Sequence, residues 1–174
     1  MSNFCAHDTI SRNETISSKQ PVDVGATDTV MTDRYNLHRF LTAQAPTYDT
    51  VLAELRAGRK ASHWIWFIFP QIAGLGRSGT AQQFAITSLD EAKAYLQHPT
   101  LGPRLRECTQ LVLDVEGRSA EEIFGSPDYL KFRSCMTLFS TATTDNALFK
   151  SALLKYFHGQ PDQLTLDLLA QQQS

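Results

Sequence analysis

From Asn36 onward, apolar residues recur three and four positions apart, the period of helices that bury one face. Asn36 caps a short helix, Leu37 to Gln44, which Pro46 ends. Tyr48, Val51, Leu52 and Leu55 form the next stripe, and Gly58 stops it. Ser88-Leu89-Asp90-Glu91 reads as a capping box that opens a helix through Leu96. From Thr100 to about Glu116, the residues Leu101, Leu105, Cys108, Leu111, Val112 and Val115 share one side. Ser119 with Glu122 is a second capping box, and Ser126-Pro127 places a cap and a first-turn proline ahead of Tyr129 to Ser140. Asp145 opens a helix whose stripe, Leu148 to Phe157, is closed by Gly159. Asp162 caps a short terminal helix ending in glutamines. No alternating strand pattern and no solenoid repeat is present. The pattern predicts an all-α fold, a compact multi-helix globule of about eight short helices from residue 34 to 174.

Residues 1–33 break this pattern. They are rich in Ser and Thr, hold Phe4 as their one aromatic residue, and carry five acids against two bases, a charge of −3. We expect a disordered polar tail or a start-site extension there, with Met31 an alternative start that leaves the helical region intact.

Composition narrows the class. Of 174 residues, 42% are hydrophobic and 20% charged, a globular mix sufficient for one sizeable core. The formal net charge of −2, with +1 on the helical region, supplies no basic stripe for nucleic acid and no pull toward a membrane. The longest apolar run, Trp64 to Phe69, is far short of the roughly 20 residues of a membrane span. Cys5, Cys108 and Cys135 form no Cys-x-x-Cys pair and no disulfide framework, so a reducing, cytoplasmic setting is the simplest reading. No two histidines share the i, i+4 spacing of a metal site, and no motif requires a cofactor. His98 and His158 stand at helix ends, where a cation suits the dipole.

Three segments rise above this background. Ser62-His63-Trp64-Ile65-Trp66-Phe67-Ile68-Phe69-Pro70-Gln71 is apolar on every face, so it is a buried helix or strand. It is either core, with His63 a hydrogen-bonded structural residue, or the wall of an apolar pocket into which His63 and Gln71 converge. Gly74-Leu75-Gly76-Arg77-Ser78-Gly79 matches G-x-G-x-x-G, but a dinucleotide fold needs further strands, and the following segments read as helices. What stays open is an anion site at a helix start, with Arg77 adding charge, or a tight turn capped by Ser78. In the third segment, Asp128, Lys131, Ser134 and Cys135 share a helix surface. Lys131 and Ser134 could meet a ligand; Asp128 with Lys131 is equally an ordinary surface pair.

Together, Ser62–Gln71, Gly74–Ser78, His98-Pro99 with Leu101-Gly102, and Lys131–Phe139 resemble the domain-of-unknown-function 1810 family over roughly Tyr35 to Leu169. The resemblance implies a small all-helical protein of bacterial or fungal type, often beginning near the position of Met31, with no established activity. Where that family commonly has a second serine, this chain has Cys135, so no catalytic role carries over to the position. Some members bear the label calpastatin, a disordered inhibitor; the aromatic-rich composition here is the opposite. The C-terminal half is also faintly similar to helical nucleotide-processing domains of the NADAR type.

Two functions follow as expectations. In the first, the domain binds, or binds and hydrolyses, a small phosphorylated or nucleotide-like ligand. His63 is then the acid–base group, Trp64 or Trp66 the stacking surface, and Arg77 and Lys131 the anion contacts, with Gln71, Gly74, Gly76, Ser78 and Ser134 completing the site. In the second, it is a helical protein-interaction module without chemistry.

Overall fold

The computed structural model describes residues 33–172. The tail expected over residues 1–33 therefore lies, but for Asp33, outside the described residues. Among the described residues ten helices follow in order: α1 His38–Gln44, α2 Tyr48–Arg56, α3 Ile65–Ile68, α4 Gly79–Gln83, α5 Leu89–Gln97, α6 Leu101–Asp114, α7 Ala120–Phe124, α8 Asp128–Ala142, α9 Ala147–Phe157 and α10 Gln163–Gln171. The fold is all-α, as the pattern requires. The two helices beyond the expected eight are α3 and α4, of four and five residues, too short to show a period. Among the described residues the only extended pairing is an isolated parallel bridge between Ile72 and Ile86, closed by Ala73 N–H to the Ile86 carbonyl and Ile86 N–H to that of Gln71, both at 2.8 Å.

Helix α8 lies at the centre, packed against α3, α5, α7, α9 and α10. Phe132, Cys135, Met136, Leu138, Phe139 and Ala142 are all buried, together with Ser134 and Thr137. A helix covered on most faces belongs to the interior. Its buried hydroxyls find partners: Ser134 shares its one proton between the Leu130 carbonyl at 3.0 Å and the Asp162 carboxylate at 3.1 Å, and Thr137 donates to the Arg133 carbonyl. Phe132 stacks on Phe124 of α7 at 4.8 Å between centroids and meets Phe69 edge-on at 4.9 Å. Phe69 and Trp64 both contact Phe124 as well. This aromatic cluster seats the Ser62–Gln71 segment beside the first turns of α8.

Several caps differ from those the sequence suggests. The Asp33 carboxylate, not Asn36, accepts the N–H groups of Leu37 and His38. Ser119 and Glu122 form the full reciprocal box. Ser88 accepts from Glu91 N–H, but the Glu91 carboxylate turns inward to Thr87 and to Arg39 at 2.6 Å, so only half of that box exists. The Ser126–Pro127 peptide is cis, and α8 begins after it without a serine cap. Helix α9 begins at Ala147, two residues after Asp145.

His98 does more than close a helix. Its Nδ1 accepts the N–H groups of Thr100 and Leu101, so it caps the start of α6. Gly102 lies in the first turn of α6 against the end of α5. A Cβ there would stand 2.0 Å from the Leu96 carbonyl oxygen, so no side chain fits. The His98-Pro99 and Leu101-Gly102 motif is thus the joint between two helices.

Candidate functional site

The site begins at Glu54 on α2. Gly58, at φ +64°, ends the helix region and turns the chain back, and the Glu54 carboxylate then gathers the returning loop. It accepts the N–H of Ala61 at 2.8 Å, the N–H and hydroxyl of Ser62 at 3.1 and 2.7 Å, and the indole N–H of Trp64 at 2.7 Å. Burial pushes this carboxyl up, but the four donors outweigh it and hold its pKa down at about 2. The loop is fixed a second time by Lys60 N–H, which donates to the Ile123 carbonyl.

So held, Lys60 reaches α8. Its Nζ lies 2.8 Å from one oxygen of Asp128, while Lys131 Nζ lies 2.5 Å from the other. The three side chains are only 8%, 16% and 19% exposed for Lys60, Asp128 and Lys131. Each ammonium also covers an indole face, Lys60 over Trp64 at 5.4 Å and Lys131 over Trp66 at 4.9 Å. Burial pushes the Asp128 carboxyl up; hydrogen bonds from Lys131 and Lys60 outweigh it, leaving its pKa below the usual carboxylate value.

The candidates from the sequence divide over three places. Lys131 and Trp66 meet directly. Trp64, 1% exposed, is core and belongs to the Lys60 side. His63 projects from the same loop, exposed, with no hydrogen bond or ion pair among the described residues. The Gly74–Ser78 turn has other partners. A Cβ on Gly74, at φ +103°, would stand 3.2 Å from Leu168 of α10, and one on Gly76 would stand 2.4 Å from the Ala81 Cβ. Ser78 caps α4 by accepting Ala81 N–H. The Arg77 guanidinium is exposed and unpaired, and Gln71 joins the site region only through its backbone carbonyl, which binds Ile86 N–H. Ser134 is turned away: it donates to Asp162, the cap of α10, while Thr137 accepts Asp162 N–H.

Sequence reasoning missed Lys60 and underrated Asp128. The available signal was a basic pair, Arg59-Lys60, directly after a helix-ending glycine and before the aromatic segment. Among the described residues the two thiols offer no nucleophile: burial pushes Cys108 up to about 12 and Cys135 well above its ordinary value. Among the described residues no group of His, Cys, Asp and Glu could hold a metal, and no helix is long and apolar enough to cross a membrane. Two open clefts lie elsewhere. One of about 340 Å³ sits between Gly58, Val115 and Arg118, the other, of about 520 Å³, between Ser140, Lys150, Leu154 and Leu166. Neither is lined by His63, Trp64, Trp66, Gln71, Gly74, Gly76, Arg77, Ser78, Lys131 or Ser134.

Comparison with known proteins accords with this architecture. The family model described as "Protein of unknown function (DUF1810)" matches residues 34–169. The crystal structure of the conserved hypothetical protein Rv1873 from Mycobacterium tuberculosis is similar at 58% identity, covering 79% of this chain and 99% of that one, with a TM-score of 0.79. No curated protein matches.

Proposed function

Since the chain belongs to the DUF1810 family, a family described as of unknown function, its activity must be read from its own side chains, and we propose that it binds a small anionic ligand, phosphorylated or nucleotide-like, at Lys60, Asp128 and Lys131. One observation carries this reading: two largely buried lysine side chains share a single carboxylate. The cluster therefore keeps one positive charge in excess, in a partly desolvated place where a ligand anion is the natural complement. Trp66 lies under the Lys131 ammonium, and the exposed His63 is carried on the same loop as Lys60.

Binding is better supported than hydrolysis. Asp128 is ion-paired twice and held below its usual pKa, which makes it a poor proton acceptor. His63 is the one group left to test for acid–base work. The indole of Trp64 is too buried to stack on a base, so recognition runs through charge. A cytoplasmic small molecule is the proposed partner class, in keeping with the absence of a basic stripe for nucleic acid. A thermal-shift panel of nucleotides and sugar phosphates on wild type, Lys60→Ala and Lys131→Ala tests the reading; a stabilising ligand must lose its effect in both variants.

The second reading, a protein-interaction module, has its own observation. Leu154 on α9 and Leu164 on α10 are 68% and 63% exposed. A partner held by either leucine would be insensitive to Lys60 and Lys131.

A further inference from the structure

Resting on that reading of the site, we propose that Asp128 sets the charge of the ligand: the site takes a singly charged oxyanion with two charged oxygens and disfavours a phosphate dianion. Each lysine ammonium has three N–H donors. On Lys60 and on Lys131 one of them is directed at Asp128, and neither ammonium has another hydrogen-bond partner among the described residues. Two donors on each side are left for a ligand. The carboxylate between them already cancels one of the two positive charges, so a monoanion brings the cluster to zero. A dianion gains twice the attraction to that excess charge, but its desolvation cost grows with the square of its charge, about fourfold, and with these side chains only 8–19% exposed the desolvation cost prevails while Asp128 halves the attraction. The first carboxylate upstream of Lys60, Glu54, has its oxygens committed to four donors of its own loop, and Arg59, exposed beside Lys60, carries the opposite charge. Neither alters the sign of the argument.

The anion so defined matches a phosphodiester or a carboxylate, and the shared chemistry is one charge over two oxygens. The experiment is isothermal titration calorimetry at pH 8 with three probes: cyclic adenosine monophosphate, adenosine 5′-monophosphate, whose phosphate is then dianionic, and benzoate. Wild type is expected to bind the cyclic monoanion about tenfold more tightly than the dianion, and Asp128→Asn to bring the two level or reverse them. Benzoate binding as well as the cyclic nucleotide assigns the site to carboxylates; weaker benzoate binding assigns it to phosphodiesters. If wild type prefers the dianion, or Asp128→Asn leaves the ratio unchanged, charge selection by Asp128 is wrong, while loss of binding in Lys131→Ala would still uphold the anion site. If wild type binds none of the probes, both the selection and the site fall. Should Asp128→Asn not fold, the wild-type ratio alone decides.

Discussion

Glu54 Oε2 accepts the indole N–H of Trp64 at 2.7 Å, and this bond ties the end of α2 to the aromatic segment that packs on α8. With the three other donors to Glu54 it makes one side chain the anchor of the loop that carries Lys60 and His63. Replacing Glu54 by Ala leaves a buried indole N–H and two backbone N–H groups in search of partners. We expect a loss of about 2–4 kcal/mol in urea unfolding, and faster amide exchange over residues 59–64.

The same carboxylate gives a pH dependence of defined sign. Its folded pKa is depressed to about 2 from an ordinary value of 4.5. A depressed carboxylate contributes stability that is fully present above the unfolded pKa and is lost as pH falls through the folded one. Thermal stability should therefore decline between pH 4.5 and 2, and Glu54→Gln should flatten that part of the profile. A profile identical to wild type would remove Glu54 from this role.

Gly102 faces the Leu96 carbonyl with no room for a methyl group. Gly102→Ala must push α6 away from α5, at a cost of about 3 kcal/mol or more. Alanine is ordinarily the better helix former by up to about 1 kcal/mol, so a stabilised Gly102→Ala variant would contradict the close approach.

Asp162 accepts the Ser134 hydroxyl together with the N–H and hydroxyl of Thr165. Asp162→Ala should cost about 1–2 kcal/mol. Hydrogen exchange should rise over α10, and ligand binding at Lys131 should be unaffected. The outcome separates Ser134 as a docking residue from Ser134 as a ligand contact.

These expectations show what the sequence could carry. Long stripes such as Leu101–Val112 and Leu148–Phe157 announce their helices because each buries one face for several turns. The helices α3 and α4 complete barely one turn, and no period develops in four or five residues. Site residues were legible by type and not by pairing. Trp66 and Lys131 stand 65 positions apart in the numbering and meet only because Phe69, Phe124 and Phe132 interlock. Asp128 and Lys131 look like a routine i, i+3 pair until Lys60 arrives from another loop to make the carboxylate shared. The glycines of Gly74–Ser78 suggest a phosphate cradle by spacing, whereas Gly74 and Gly76 are small because Leu168 and Ala81 press on them.

The central claim is that Lys60 and Lys131 form one anion site across Asp128, and calorimetric titration of the nucleotide probes into wild type, Lys60→Ala and Lys131→Ala tests it most directly. Saturable one-to-one binding to wild type is expected, with affinity at least about tenfold lower in each lysine variant and both variants still folded by circular dichroism. No binding to wild type, or equal affinity in all three proteins, would contradict it.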